Sequence, residues 1–304
     1  MKILILGSNG LVGSAVSNLL NSKENLKIMD PNRQELNLFN SDEIKKFLSA
    51  NKPDVVINCA AKVGGIVANN THRVDFLLEN LKINLFILEN IINSSVKKMI
   101  NLGSSCIYPL NAPNPITEES FLDGKLEKTN SPYAIAKIAA IELGFEISRS
   151  MDIEIQNLLP TNLYGPNDNF DPISSHVIPG LIYKFDKAKS ENADFVELWG
   201  TGNPLREFLY VDDLADAIYF LLDKKVEDKI INVGSGEEVS IEELASLVKN
   251  IVSFKGEIIF NAEYPDGNPR KLLNSQKITD LGWSPATSLE SGLRRTYNWF
   301  KTNY

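Results

Sequence analysis

Short apolar segments alternate with longer amphipathic segments along most of the first 240 residues. The apolar segments have four to seven residues and are rich in Ile, Leu and Val, which is typical of buried strands. They are residues 2–6, 26–29, 54–58, 98–102, 153–159 and 229–233. Helical spacing of apolar residues is clearest in 12–21, 42–51, 75–94 and 133–150. The alternation predicts a parallel sheet with crossover helices.

The pattern changes from about residue 160. Pro, Gly, Asn and Asp become frequent in 164–171, 200–204 and 264–269, which indicates loops. A further helix and strand within 209–238 are predicted to return to the sheet. The sequence therefore predicts a sheet domain of residues 1–160 and 209–238, and a smaller lobe of residues 161–208 and 239–304.

Composition and charge narrow the class of protein. The chain has 304 residues, 43% hydrophobic and 23% charged, as in ordinary globular proteins. Its net charge of −8 disfavours nucleic acid and anionic membranes as partners. No apolar run approaches the roughly 18 residues of a membrane span, and no signal peptide is expected. Two His and two scattered Cys give no metal-ligand spacing, so no metal is predicted.

The two cysteines, Cys59 and Cys106, both lie at the ends of predicted strands. This is the usage of thiols in a reducing compartment rather than of a disulfide framework, and the cytoplasm is the expected location.

A glycine-rich loop follows the first predicted strand and opens a helix. It consists of Gly7, Ser8, Asn9, Gly10, Leu11, Val12 and Gly13. The spacing is G-x-x-G-x-x-G, in which glycines permit a tight turn and a pyrophosphate rests on helix N–H groups. With the alternating pattern, the loop predicts an α/β fold: a Rossmann-type doubly wound parallel sheet with a smaller C-terminal substrate lobe.

The end of the second predicted strand gives conflicting signals about the cofactor. Asp30 suits the ribose 2′-hydroxyl of NAD, whereas Arg33, three residues later, suits the 2′-phosphate of NADP. The alternatives are a turn residue for Asp30 and a solvated charge for Arg33.

Ser104, Tyr133 and Lys137 form a set suited to hydride transfer to a carbonyl. Tyr133 and Lys137 are i,i+4 on a predicted helix, and Ser104 ends a strand 29 residues earlier. The phenol is expected to protonate the carbonyl oxygen, with Ser104 as a second hydrogen-bond donor and Lys137 lowering the phenol pKa. A Tyr and a Lys at this spacing are common, so the prediction depends on the glycine loop upstream.

Cys106 lies two residues after Ser104, where plain hydride transfer needs no thiol. Next to a bound carbonyl, a thiol could move protons on and off the adjacent carbon. A small buried hydrophobe is the alternative, and it is our interpretation of Cys59.

Together these motifs resemble the extended short-chain dehydrogenase/reductase family, which acts mostly on nucleotide sugars. Residues 206–213 and 232–236 look like segments of the same family. Longer stretches resemble its GDP-L-fucose synthase branch. They are residues 60–70, 103–109, 160–166, 175–179 and 269–273.

The resemblance implies epimerisation of GDP-4-keto-6-deoxy-D-mannose at C3 and C5, followed by NADPH-dependent reduction at C4. It assigns the reduction to Ser104, Tyr133 and Lys137, and the epimerisation acid and base to Cys106 and His176. Which of these two removes the proton stays open, since a thiol and an imidazole can both serve.

The predicted ligand contacts extend along the chain. Besides the glycine loop, Asp30 and Arg33, the cofactor contacts are Leu102, Gly103, Ser104, Ser105, Lys137, Pro160, Thr161, Asn162, Leu163 and His176. The predicted GDP-sugar contacts are Lys184, Trp199, Arg206, Asp266 and Arg270. Two positions depart from the branch, because Lys184 and Asn9 each replace an arginine. NADP(H) is the expected cofactor, with NAD(H) as the alternative.

Three other functions fit parts of the pattern: a GDP-colitose synthase, a pure 4-reductase and a non-catalytic nucleotide sensor. The last two have less need of the full residue set. The resemblance also implies a homodimer through helices 75–94 and 133–150. An apolar stripe on the first of these would equally suit a core-facing helix. It comprises Leu77, Leu78, Leu81, Leu85 and Leu88.

Overall fold

The computed structural model describes residues 1–264 and 266–304. Its strands are β1 (Lys2–Leu6), β2 (Lys27–Met29), β3 (Val55–Asn58), β4 (Lys98–Leu102), β5 (Glu154–Pro160), β6 (Asn162–Tyr164), β7 (Phe195–Trp199), β8 (Leu205–Tyr210), β9 (Ile230–Val233), β10 (Glu238–Ser240), β11 (Glu257–Asn261) and β12 (Arg270–Lys271). The main sheet has the order β2-β1-β3-β4-β5-β9 and is parallel throughout. The predicted sheet strands are confirmed, with ends displaced by at most one residue.

The helices are α1 (Leu11–Asn21), α2 (Ser41–Asn51), α3 (Ile66–Thr71), α4 (Arg73–Ile92), α5 (Ser131–Ser150), α6 (Val177–Ser190), α7 (Val211–Leu222), α8 (Ile241–Val252), α9 (Gln276–Asp280) and α10 (Leu289–Asn303). Their starts follow from local chemistry. The Asn40 side chain accepts the N–H groups of Asp42 and Glu43 at the start of α2, and Ser240 with Glu243 forms a capping box at α8. The four predicted helices are confirmed to within two residues.

Helices cover both faces of the main sheet. Successive side chains of β1 point to opposite faces and contact different helices. Ile3 and Ile5 belong to the same buried cluster as side chains of α1 and α7, while Leu4 and Leu6 join those of α2, α4 and α5. Burial of each such side chain stabilises the fold by about 1.5–3 kcal/mol. From β1 the strands are added toward one edge of the sheet (β2), and from β3 toward the other edge (β4, β5 and β9). At this switch point between β1 and β3, a crevice opens beyond the carboxyl ends of the two strands.

A ladder of buried asparagines crosses the centre of this sheet. Asn58, Asn101 and Asn157 occupy matching positions on β3, β4 and β5. The Asn58 amide donates to Asn101 Oδ1 (3.0 Å), and the Asn101 amide donates to Asn157 Oδ1 (2.9 Å). The Asn157 amide ends the ladder on the Lys229 carbonyl (3.1 Å). Buried amides require such partners, so the ladder fixes the register of these strands.

The C-terminal half adds smaller sheets. β8 pairs with β10 antiparallel and with β6 and β12 parallel, and β7 pairs with β11. A second apolar cluster gathers side chains of α6, α8 and α10 against these strands. Two residues of the same half, Ile278 and Trp283, pack instead into the core beneath the main sheet.

Residues 1–264 and 266–304 contain neither a membrane-spanning helix nor a cluster of metal ligands. None of the helices there is both long and apolar enough to cross a bilayer. The same residues contain no group of three His, Cys, Asp or Glu placed to hold a metal ion.

Candidate active site

The glycine loop packs tightly between β1 and α1. Gly7 has φ +80°, and a Cβ there would lie 2.8 Å from the Ala60 main chain. A Cβ on Gly13 would lie 2.0 Å from the Gly7 carbonyl oxygen, so α1 can approach the strand only without a side chain. The helix begins at Leu11, and Gly10 provides no side-chain cap. Its first N–H groups are therefore suited to a pyrophosphate, as the sequence predicts.

The Asp30 carboxylate is held by α1. It accepts hydrogen bonds from Ser17 Oγ and from the Asn21 amide (3.4 Å), while Ser8 Oγ donates to the Asp30 carbonyl (3.0 Å). Arg33 is exposed beyond the strand end, near the same edge. Both residues are exposed, and they differ in that the Asp30 carboxylate accepts hydrogen bonds from side chains of α1.

Ser104, Tyr133 and Lys137 meet at the carboxyl end of β4. Ser104 caps a 3₁₀ turn (Ser105–Ile107), its Oγ accepting the Cys106 N–H at 3.2 Å. Tyr133 lies in the first turn of α5, where Pro132 suits the helix start. Lys137 is buried one turn later, and its Nζ donates to the Leu102 carbonyl at 2.7 Å.

The electrostatics of this trio differ from the expectation. Burial raises the pKa of the Tyr133 phenol well above its ordinary value, the Cys106 sulfur adds to the rise, and Ser104 opposes it. The expected lowering by Lys137 is wrong, because its Nζ turns to the Leu102 carbonyl and lies 5.9 Å from the phenol ring centroid. A protonated phenol suits a proton donor.

Lys137 itself is easily deprotonated. Burial lowers the pKa of this ammonium to about 8, against the opposing influence of Cys59. If the ammonium holds the cofactor, NADPH affinity should be constant near pH 7 and fall as the pH rises through 8, by about tenfold at pH ~9.5, the lower end of the effect of one charge-assisted hydrogen bond. Fluorescence titration of NADPH from pH ~7 to ~9.5 measures this. Lys137→Met should bind weakly and without that slope, and an equal slope in the variant would exclude Lys137 as the cause.

Cys106 faces the trio from the 3₁₀ turn and is half-buried. Its sulfur lies 3.9 Å from the Nζ of Lys271, on β12. The sequence-based prediction names Arg270 and misses this lysine, although residues 269–273 are among the stretches behind the resemblance. Cys59 has a different environment, since burial raises the pKa of its thiol to about 12, against the opposing Lys137 charge. A protonated, inert thiol agrees with our interpretation of Cys59.

His176 directly precedes α6, and the turn that carries it packs against the 62–66 segment. Gly65 N donates to the Ser174 carbonyl at 2.9 Å, and a Cβ on Gly65 would lie 2.4 Å from the Ser175 carbonyl oxygen. The Phe76 ring contacts Gly64 on one side and the Tyr133 ring on another, with ring centroids 6.5 Å apart. The imidazole is reachable from solvent, yet surrounding protein lowers its pKa, which the Gly64 main chain opposes. It is therefore a neutral base near pH 7.

The remaining predicted cofactor positions lie at the carboxyl ends of β4 and β5. Leu102, Gly103 and Ser105 are buried there, next to Ser104. Pro160 ends β5, and the Thr161 hydroxyl and the Asn162 amide both donate to the Glu207 carbonyl (3.2 and 2.8 Å). Leu163 packs against the main core. These positions line the edge where the switch point places a nucleotide.

Four predicted GDP-sugar contacts form one cluster near α6, β7 and β8. Lys184 Nζ lies 5.7 Å from the Trp199 ring centroid, and Trp199 stacks on Tyr264 at 4.6 Å. Burial lowers the pKa of Arg206, and nearby Asp266 opposes this. Asp266 accepts from the Thr201 main chain (2.9 Å) and hydroxyl (2.7 Å). An exposed aromatic face beside two cations suits a base and its diphosphate.

Arg270, the fifth predicted contact, is engaged elsewhere. Its guanidinium forms a bidentate pair with Glu238 on β10, with Nε–Oε1 at 2.8 Å and Nη2–Oε2 at 2.6 Å. The structure thus does not join Arg270 to the cluster of Lys184, Trp199, Arg206 and Asp266.

The fold and this crevice define a dinucleotide-dependent oxidoreductase of nucleotide-sugar type. The chain belongs to the NAD dependent epimerase/dehydratase family, whose model matches residues 3–234. It is 48% identical over 304 residues to GDP-L-fucose synthase 1 of Arabidopsis thaliana, covering 99% of this chain and 94% of the relative. It is 43% identical to GDP-L-fucose synthase of Escherichia coli, covering 99% and 97%.

Solved structures agree with these relatives. A GDP-L-fucose synthetase from Naegleria fowleri, bound to NADP, superposes with a TM-score of 0.91 at 30% identity, covering 100% of this chain and 94% of that one. A GDP-mannoheptose C4 reductase from Campylobacter jejuni, also with NADP bound, gives 0.89 at 35% identity, covering 99% and 98%. A GDP-L-colitose synthase from Yersinia pseudotuberculosis is 36% identical over 99% of this chain and 98% of its own length.

Proposed function

We propose that the protein makes GDP-L-fucose, epimerising GDP-4-keto-6-deoxy-D-mannose at C3 and C5 and reducing it at C4. The observation that carries this proposal is the position of Cys106. Its N–H bonds Ser104 Oγ, and its sulfur is close enough to influence the Tyr133 phenol, so a proton-transfer group adjoins the carbonyl site.

One oxyanion site can serve all three steps. A 4-keto group acidifies the C–H bonds at C3 and C5 because either carbanion delocalises onto the same oxygen. Tyr133 and Ser104 would hold that oxygen as charge develops, and Tyr133 would protonate it during reduction. NADPH, when bound, supplies the hydride for C4. Inversion needs groups on opposite faces of the sugar, and Cys106 and His176 are the pair we assign.

The cofactor we assign is NADP(H). The NADP-bound relatives support it, as does the exposed Arg33 guanidinium, which suits a 2′-phosphate. Asp30, the residue that favours NAD, is also exposed, but its carboxylate already accepts hydrogen bonds from Ser17 and Asn21. The first N–H groups of α1 would hold the pyrophosphate, and Lys137 the nicotinamide ribose.

Arg33→Ala should raise the KM for NADPH at least about tenfold and leave the KM for NADH unchanged, because a charge-assisted contact of about 1.5–3 kcal/mol is lost only with the 2′-phosphate. Steady-state kinetics with both cofactors measure this. Arg294→Ala is a matched control, since Arg294 pairs with Glu290 on α10. Equal rises for both cofactors would exclude a 2′-phosphate contact.

The two-part organisation predicted from the sequence remains our proposal for how the site is divided. Residues 1–160 and 209–238 would hold the cofactor, and 161–208 with 239–304 the GDP-sugar. Separate apolar clusters beneath the main sheet and around α6, α8 and α10 support the division. Lys184, Trp199, Arg206 and Asp266 would bind the guanine and diphosphate.

A GDP-colitose synthase is the second candidate, because its Yersinia relative matches the whole chain. A substrate without a 3-hydroxyl needs inversion only at C5, for which the same Cys and His suffice. A pure 4-reductase would leave Cys106 and His176 without a role.

One experiment separates these functions. The protein is incubated with GDP-4-keto-6-deoxymannose and NADPH in D2O, and deuterium is followed at C3 and C5 by NMR. Label at both carbons with a reduced C4 is the expected result. Oxidation of NADPH without label would refute the epimerase assignment. GDP-mannose, which has no keto group, is the control substrate and should exchange nothing.

The protein is also proposed to be a homodimer of the cytoplasm. Two free thiols agree with a reducing compartment. On α4, Val74, Leu78 and Leu85 are exposed along one face, whereas Leu88 is buried in the core, so the stripe predicted from the sequence divides between two surfaces.

Replacing Leu78 and Leu85 together by Glu should convert a dimer into a monomer, because two charges would be buried in the contact. Size-exclusion chromatography with light scattering measures this. Ile259→Glu, at an exposed apolar position on β11, should leave the mass unchanged. A dimer that survives the double change would place the interface elsewhere.

A further inference from the structure

Lys271 lies against the thiol of Cys106, with Nζ 3.9 Å from Sγ. The reason is the alternation of side chains along a strand. β12 runs parallel to β8 with Lys271 opposite Arg206, so consecutive residues of β12 point to opposite faces. Arg270 points to Glu238, and Lys271 points back to the crevice. Half-buried Lys271 therefore lies between Arg206, a predicted GDP-sugar contact, and the Cys106 thiol.

In the part of the chain that the structure describes, no carboxylate forms an ion pair with the Lys271 ammonium. Its acidic neighbour is Glu127, whose oxygens accept hydrogen bonds from the Thr129 main chain (2.9 Å), the Thr129 hydroxyl (2.5 Å) and Asn130 N (3.1 Å). Partial burial opposes ionisation of Glu127, but these bonds and the Lys271 charge hold its pKa below the usual range. The charge of Lys271 thus acts on an ionised carboxylate without forming an ion pair with it.

The proton balance of the proposed reaction requires a proton donor near the Cys106 sulfur, and Lys271 is placed to be that donor. When Cys106 protonates a substrate carbanion, the S–H bond breaks, a C–H bond forms, and the electron pair remains on sulfur as a thiolate. The sulfur must regain a proton before the next transfer. Tyr133 and Ser104 are engaged with the carbonyl oxygen, whereas Lys271 has N–H groups within hydrogen-bond distance of sulfur.

We propose that Lys271 is a positioning residue for Cys106: its ammonium donates to Sγ, orients the sulfur toward the sugar, and returns a proton to the thiolate. The Nζ–H bond breaks, an S–H bond forms, and the neutral amine takes a proton from water. The hydroxide that remains is neutralised by the proton that His176, as the base, takes from carbon and releases to solvent. This inference rests on the proposed function for the identity of the carbanion. The contact between Lys271 and the sulfur does not depend on it.

The test measures the thiol without any sugar. In a Cys59→Ser background, the rate at which iodoacetamide alkylates Cys106 at pH ~7 reports how much thiolate is present, because the thiolate is the nucleophile. Lys271→Met and Lys271→Gln should each lower that rate about tenfold, since neither carries the charge that stabilises a thiolate. Lys271→Arg should keep it within about twofold. Lys301→Met, an exposed lysine on α10, is the matched control and should not change it.

A second readout follows the reaction. Lys271→Met should slow deuterium entry into the sugar by about the same factor as alkylation, while NADPH affinity stays within about twofold. Unchanged alkylation in both neutral variants would overturn the inference, even if the KM for the GDP-sugar rises, because Lys271 would then bind only the diphosphate. Failure of the proposed function would instead show as wild-type protein that labels no sugar, whatever the alkylation rates are.

Discussion

Replacing Tyr133 by Phe should lower both NADPH oxidation and deuterium exchange at C3 and C5 by about 10³-fold with GDP-4-keto-6-deoxymannose, the range of a lost general acid at an oxyanion site. The two losses should occur together because one carbonyl oxygen carries the negative charge in every step. The phenol is a strong candidate for that contact: burial keeps it protonated, and Ser104 lies beside it.

Tyr219→Phe is the matched control. Tyr219 lies on α7, where its exposed ring contacts Lys23, and it is not among the predicted site residues, so both rates should stay within about twofold. Loss of reduction with unchanged proton exchange in Tyr133→Phe would contradict the shared site. The carbanion would then be stabilised by other groups, and Tyr133 would act only in the reductive step.

Cys106→Ser should reduce deuterium exchange by about 10²-fold, because a hydroxyl is a much weaker acid than a thiol at the same position. NADPH affinity should stay within about twofold, since Cys106 is not one of the predicted cofactor contacts. Reduction of the unepimerised keto sugar should then become the main reaction. NMR of the product distinguishes this sugar from fucose by its configuration at C3 and C5.

Cys59→Ser is the control for that experiment. The Cys59 thiol is held protonated by burial, with a pKa of about 12, so its replacement should change exchange less than twofold. If Cys106→Ser makes fucose at the normal rate, the thiol has no part in epimerisation. His176 would then be left without the partner that inversion requires.

The strands of the main sheet and the longest helices could be predicted from the sequence. β1 and β4 are predicted at their observed limits because each is a short run rich in apolar residues that ends directly before a glycine. α5 starts two residues earlier than predicted, since Ser131 and Pro132 already adopt the helical turn. The apolar periodicity of α5 begins only at Tyr133, so this periodicity could not indicate that the helix starts at Ser131.

The site is harder to predict where partners are distant in sequence. Lys271 and Cys106 are 165 residues apart, and their contact depends on β12 lying parallel to β8. Residue type alone favours Arg270 for a diphosphate, but Glu238 already binds it. The hydrogen bond from Ser17 to the Asp30 carboxylate is likewise not predicted, because only the folded helix brings the two side chains together.

The asparagine ladder limits how this enzyme can adapt. A slip of β4 by one residue would turn Asn101 to the opposite face and leave two buried amides without partners, at about 1–3 kcal/mol each. The strand ends that carry Cys59 and Ser104 therefore cannot be shifted to make room for a different sugar. New substrate ranges in this lineage should arise by change in the C-terminal half and its loops, while the strands beneath the carbonyl site stay constant.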